Sequence, residues 1–137
     1  MIPTDLPSKK TILCIDDDAA ILCYEKALLE RSGYGVLIAP SAQQGLKLAT
    51  TRTCDAVLLE YEMSGMNGHE VAAEIKLVKP KLAVILLSRR EVPSRALALV
   101  DAVVPKLEAS QQLLPIIAEL LRPEPKGETI GKKALST

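Results

Sequence analysis

A chain of 137 residues has room for one domain with a full core and too little for two. Hydrophobic residues make up 48% of it, with no Phe and no Trp, so the chain is globular and its core is built from Leu, Ile, Val and Ala. Seventeen basic and seventeen acidic residues cancel, which argues against a broad electrostatic surface for nucleic acid or anionic lipid.

Residues 1–9 read as an N-terminal extension; the segment has no apolar core and is no signal peptide. No apolar run approaches membrane-spanning length, so no membrane partner and a cytoplasmic location are expected. The first apolar run, Ile12 to Ile15, ends on three acids, Asp16, Asp17 and Asp18. Asp18 is a good N-cap for a first helix that stops at Gly33, a good residue to end on. Ile21, Tyr24 and Leu28 mark its expected inner face. Val36 to Ala39 is the second run. A helix follows from Ser41, with Ala42, Leu46 and Ala49 inward. Ala56 to Leu59 is the third run, ending on Glu60. The next helix follows Asn67-Gly68, turns Val71, Ile75 and Val78 inward, and stops before Pro80. Ala83 to Leu87 is the fourth run, then a weakly marked helix around residues 94–100, then Ala102 to Val104. The last helix carries Leu114, Ile117 and Leu121. Pro115 either occupies its first turn, where a missing N–H costs nothing, or bends it. Residues 123–137 lack periodicity and read as a tail or linker.

The five runs are continuous rather than alternating, as expected of strands covered on both faces. Five strand–helix alternations predict an α/β fold with a doubly wound, five-stranded parallel sheet in a three-layer α/β/α arrangement. In such a sheet the binding crevice lies at the carboxyl ends of the strands. Asp16, Asp17 and Asp18 follow the first strand, Glu60 the third, Ser88 the fourth and Lys106 the fifth. Clustered carboxylates raise one another's pKa unless a cation intervenes. Mg²⁺ takes oxygen ligands and keeps several waters, so two or three carboxylates and a carbonyl suffice for it. A lysine supplies a second, permanent cation. A serine hydroxyl can hydrogen-bond an oxygen brought into the pocket.

This set resembles the receiver domain of two-component response regulators. The matching segments are Ile12 to Asp18, Asp55 to Gly68, Ile85 to Ser88 and Val103 to Lys106, in order and at the right strand ends. The resemblance implies a flavodoxin-like fold of strand order 2-1-3-4-5, a receiver domain over residues 10–122, and a non-enzymatic signalling role in a phosphorelay. It also implies a sensor histidine kinase or another signalling protein as partner, and a homodimer is expected through the face of the fourth helix, fifth strand and fifth helix. By position, Asp16 and Asp17 match the metal-binding acids and Glu62 the residue that offers a backbone carbonyl to the metal. Ser88 matches the switch hydroxyl and Lys106 the phosphate-pairing lysine. Glu60 stands where the family has its phosphoryl-accepting aspartate.

That substitution advances the carboxylate by about 1.5 Å, one C–C bond, and misplacement on that scale costs on the order of a hundredfold in a positioned reaction. The longer acid is expected to pair with Lys106 and to hydrogen-bond Ser88, its charge standing in part for the roughly −1.5 to −2 of a phosphoryl group. Arg89 replaces a small residue and either caps the pocket or points into water. Ser64 and Leu107 stand at usual proline positions, and Val103 replaces an aromatic that swings with the switch hydroxyl. Together these departures favour a receiver that works without phosphorylation, with weak Mg²⁺ binding or none. A conventional Mg²⁺-dependent phosphoacceptor is the alternative. A weaker one is a haloacid-dehalogenase-like phosphatase, from Asp16-x-Asp18.

Other candidates have plainer readings. Cys14, Cys23 and Cys54 match no zinc or redox pattern and read as buried free thiols. His69 reads as a solvated residue early in the third helix. Gly65 and Gly68 read as loop geometry, and Arg89, Arg90 and Arg95 as a solvated basic cluster. Lys9-Lys10 is too short for a nucleic-acid patch, so none is expected to bind this domain.

Overall fold

The computed structural model describes residues 9–123. The expected extension before Lys9 and the expected tail beyond Pro123 lie outside the described residues. Strands β1 (Thr11–Ile15), β2 (Gly35–Ala39), β3 (Ala56–Glu60), β4 (Ala83–Ser88) and β5 (Ala102–Pro105) form one parallel sheet of order β2-β1-β3-β4-β5. Helices α1 (Ala19–Arg31), α2 (Ala42–Thr51), α3 (Gly68–Val78), α4 (Ser94–Leu97) and α5 (Ala109–Leu120) connect and cover it, with a 3₁₀ turn, Lys106–Glu108, ahead of α5.

The pleat divides the strands between two cores. Leu13, Ile15, Val57, Leu59, Val84 and Leu86 face α2 and α3, meeting Ala42, Ala49, Val71 and Ile75. Ile12, Cys14, Ala56, Leu58, Ile85, Leu87 and Val104 face the other way, meeting Leu22, Leu29, Leu113 and Ile117 of α1 and α5. Each fully buried Leu or Ile contributes about 1.5–3 kcal/mol, so a core without Phe or Trp suffices. β3 is buried along its whole length and carries Glu60 at its tip.

Helix ends follow local chemistry. The Asp18 carboxylate accepts from the N–H groups of Ala20 and Ile21, and Gly33 terminates α1 with φ +97°. Ser41 caps α2, and Asn67 with Glu70 forms a capping box at α3.

Helix faces depart from the spacing in three places. The buried stripe of α1 is Leu22, Glu25 and Leu29, one position past the expected one, and Tyr24 is exposed. The stripe contains a glutamate, which masks it in any count of apolar residues. Val78, the last residue of α3, is exposed. Pro115 lies inside α5 rather than in its first turn, on an exposed face. Cys14 is buried as expected, whereas Cys23 is exposed and Cys54 half-buried; all three are free.

Gly68 opens α3 hard against β3. A Cβ there would lie 2.8 Å from Tyr61 Cα and 3.0 Å from the Glu60 carbonyl oxygen, both backbone atoms that cannot rotate away. Gly68→Ala is expected to destabilise the fold by about 1–3 kcal/mol, read as a shift in the denaturation midpoint. An unchanged midpoint would mean the contact relaxes freely.

Candidate functional site

Asp16, Glu60 and Lys106 are brought together from the tips of β1, β3 and β5. Glu60 is 3% exposed and Asp16 1%. Lys106 opens the 3₁₀ turn that replaces the expected proline geometry at Leu107, whose side chain projects fully into solvent. Its Nζ donates to Glu60 Oε1 and lies 3.4 Å from Asp16 Oδ2. The second Glu60 oxygen, Oε2, accepts from the Glu62 N–H at 3.1 Å. Asp16 Oδ1 accepts from the Asp18 N–H at 2.9 Å. Both buried acids are therefore held at both oxygens, which burial requires.

Two carboxylates share one ammonium here. Burial favours the neutral lysine, but hydrogen bonds and charge from Glu60 and Asp16 outweigh it, and the Lys106 pKa is raised. Burial pushes the Glu60 carboxyl above its ordinary range; Lys106 and the Glu62 N–H pull it back only partly, and Asp16 adds to the rise. The directions are consistent: with two acids to one base, the base stays charged and the second acid ionises reluctantly.

The remaining candidates lie around this triad. Asp17 turns outward, its Oδ2 accepting from Ser64 N–H at 3.0 Å and from Ser64 Oγ at 3.3 Å. A proline at 64 could offer neither donor. Arg89 lines the cavity of about 130 Å³ shared by Asp16, Asp17, Asp18, Glu60, Glu62 and Lys106, and makes no ion pair among the described residues. Arg90, not Arg89, carries a contact: its Nε meets Glu62 Oε2 at 2.8 Å.

Ser88 does not reach Glu60, contrary to the sequence expectation. Its Oγ donates to the Arg90 carbonyl at 2.6 Å and accepts from the Arg90 N–H at 3.2 Å. The hydroxyl is satisfied by its own loop and lines a neighbouring groove with Val103. His69 is also displaced from its expected place in water. It is half-buried, stacked on Tyr61 at 6.2 Å, with a buried Nδ1 that has no partner among the described residues.

Asp16, Asp17 and the Glu62 carbonyl are oxygen donors of the right kind for Mg²⁺. As arranged they do not fit it: Asp16 is engaged by Lys106 and a backbone N–H, and Asp17 is drawn to Ser64. Among the described residues no three Asp, Glu, His or Cys side chains converge closely enough to hold a metal ion.

One residue of this neighbourhood escapes motif reading altogether. Glu25 of α1 is 3% exposed, and its Oε1 has no hydrogen-bond partner among the described residues. It faces Cys14 beneath Asp16 and Lys106. Burial first, then the charge of Asp16, raise its pKa from an ordinary 4.5 to about 8, against the pull of Lys106. Burial likewise pushes the Cys14 thiol well up, with Glu25 adding to it. Only the helical period of the buried stripe points to Glu25 in the sequence.

The profile of the response regulator receiver domain matches residues 12–117. The chain belongs to the response regulator receiver family. This receiver is 30% identical over 130 residues to the response regulator MprA of Mycolicibacterium vanbaalenii, covering 92% of this chain and 56% of that protein. It thus spans about half the length of the relatives it matches. Among solved structures it resembles the response regulator TrrA of Thermotoga maritima, crystallised with Mg²⁺–BeF. The TM-score is 0.78 at 31% identity, over 82% of this chain and 99% of that one. A receiver domain from Clostridium thermocellum superposes with TM-score 0.76 at 29% identity, covering 93% and 99%. The flavodoxin-like fold and strand order 2-1-3-4-5 expected from the sequence are those of the receiver. Receivers belong to two-component phosphorelay signalling and are not enzymes of the usual kind.

Proposed function

We propose that this receiver signals through protein contact without taking up a phosphoryl group. The observation that carries the reading is the bond from Lys106 Nζ to Glu60 Oε1. The lysine that would pair with an incoming phosphoryl group is already neutralised by the elongated acid. The loop after β4 is likewise satisfied: Ser88 is closed onto Arg90, and Arg90 onto Glu62. Val103 leaves no aromatic ring to swing. A domain spanning residues 10–122, a histidine kinase or other signalling protein as partner, and a dimer through α4, β5 and α5 belong to the same proposal.

Incubation with acetyl phosphate and Mg²⁺ followed by intact mass measurement is expected to show no stable adduct. An acyl phosphate on Glu60 would overturn the reading. Glu60→Asp shortens the acid and withdraws it from Lys106, so labelling should appear or rise. The conventional-acceptor reading expects Mg²⁺-dependent shifts of the pocket amides on adding beryllofluoride, which the self-paired pocket should not give. The phosphatase reading is disfavoured by Asp18, whose carboxylate is occupied as the α1 cap. Hydrolysis of an aryl phosphate would revive it.

A further inference from the structure

The end of the sheet opposite Glu60, where β3 and β4 begin, carries an apolar feature that the receiver reading leaves unused. Val71, Ile75 and Val78 share one helical spacing, and the first two are buried. Val78 continues the stripe at the end of the helix and is 59% exposed; Leu77 beside it is 83% exposed. Isolated exposed aliphatics are ordinary. In the chain these two run directly into Lys79 and Pro80, which with Cys54, Asp55, Lys81 and Leu82 line a concavity of about 500 Å³.

The concavity is built rather than accidental. Lys79 Nζ donates to the Arg52 carbonyl at 2.8 Å, tying the α2–β3 loop to the α3–β4 loop. Asp55, the one acid in the lining, has Oδ2 committed to the Thr11 N–H at 2.7 Å, which fixes the loop to β1. Arg52 and Lys81 are exposed and make no ion pair among the described residues. The surface therefore combines aliphatic anchors with unneutralised cations.

We propose that this face, formed by the end of α3 and the two loops beside it, docks a segment of a partner protein that sets a bulky apolar side chain next to Asp or Glu. Charge selects an acidic segment. The concavity accepts one large side chain, and Leu77 and Val78 give it an apolar shoulder. A peptide fits better than an anionic bilayer, because a flat surface cannot fill a concavity and leaves Asp55 facing lipid phosphates. The face lies at the other end of the strands from Glu60, so the proposal stands apart from the reading of the acceptor pocket.

The probe is a short synthetic peptide with a central Trp flanked by Glu and Asp, titrated into isotope-labelled protein. The chain has no Trp of its own, so peptide fluorescence reports binding directly. Amide shifts are expected at 52–55 and 77–82, with the pocket at 60 and 106 unmoved. Leu77→Ser and the double variant Arg52→Glu, Lys81→Glu should each weaken binding by about tenfold or more, the scale of one lost anchor or reversed charge pair. Unchanged unfolding curves would show that these exposed substitutions leave the fold intact. Absence of shifts at millimolar peptide, equal binding of a Lys-flanked peptide, or binding only to phosphatidylserine vesicles would each overturn the proposal. Acetyl phosphate is added in a parallel arm. Phosphorylation there counts against the acceptor-pocket reading and leaves the docking result to stand or fall by itself.

Discussion

Lys106→Met should lower the unfolding free energy by about 3–5 kcal/mol near neutral pH, the cost of leaving buried charge uncompensated. Methionine keeps the length of the side chain and removes the ammonium. What remains is Asp16 and Glu60, nearly inaccessible to water, with backbone N–H groups on one oxygen each. The sign with pH follows from linkage. Without Lys106 the Glu60 carboxyl, already raised by burial, loses the cation that pulls it back and ionises still further above its unfolded value. The native state then holds protons that the unfolded chain has released. The deficit is small below about pH 3, where carboxyls are protonated in both states, and grows as pH rises through the carboxylate range. Adding Glu60→Met should recover part of the loss, because a buried ion pair is often replaceable by apolar groups. Recovery should stay incomplete, because Asp16 is left alone. Urea denaturation across pH measures all of this. A deficit below about 1 kcal/mol, the range of an exposed pair, and flat with pH would mean that Lys106 contributes only as a surface cation.

The fold was legible because its strands are unbroken apolar runs and its helices have clear caps. Asp18, Ser41, Asn67 and Gly33 all end helices where their chemistry places them. The site was legible to the extent that sheet topology dictates it: strand tips converge, so Asp16, Glu60 and Lys106 meet. Topology brings residues near and does not choose their partners. Ser88 is bonded two residues along its own loop, to the Arg90 carbonyl and N–H. Asp17 goes to Ser64 because serine supplies two donors. Such choices depend on ångström-scale loop paths that no spacing encodes.

Glu25→Gln should stabilise the protein progressively as pH rises, and scarcely at all in acid. The side chain occupies the α1 core stripe between Leu22 and Leu29, where Leu would be ordinary. In the unfolded chain it ionises near 4.5; in the fold, at about 8. Between those values the native state keeps a proton that the unfolded state has lost. Wild-type stability therefore falls with rising pH by up to about 1.4 kcal/mol per unit. Across the window from 4.5 to about 8 the penalty reaches a ceiling of ~5 kcal/mol. Gln keeps the size and polarity of the group and cannot ionise, so the variant lacks this slope. The two stability curves should meet at about pH 4.5, separate steadily, and run parallel above about pH 8. The charges facing Glu25 set where the separation ends. Asp16, just past β1, and Glu60, at the end of β3, oppose its ionisation, and Lys106 favours it. Lys106 is thus common to the two buried acids Glu60 and Glu25. In the Lys106→Met background the separation should extend to higher pH, since the cation that favours the Glu25 carboxylate is gone. Curves for wild type and Glu25→Gln that stay parallel from acid to alkali would show that the carboxyl is reached by water and titrates normally.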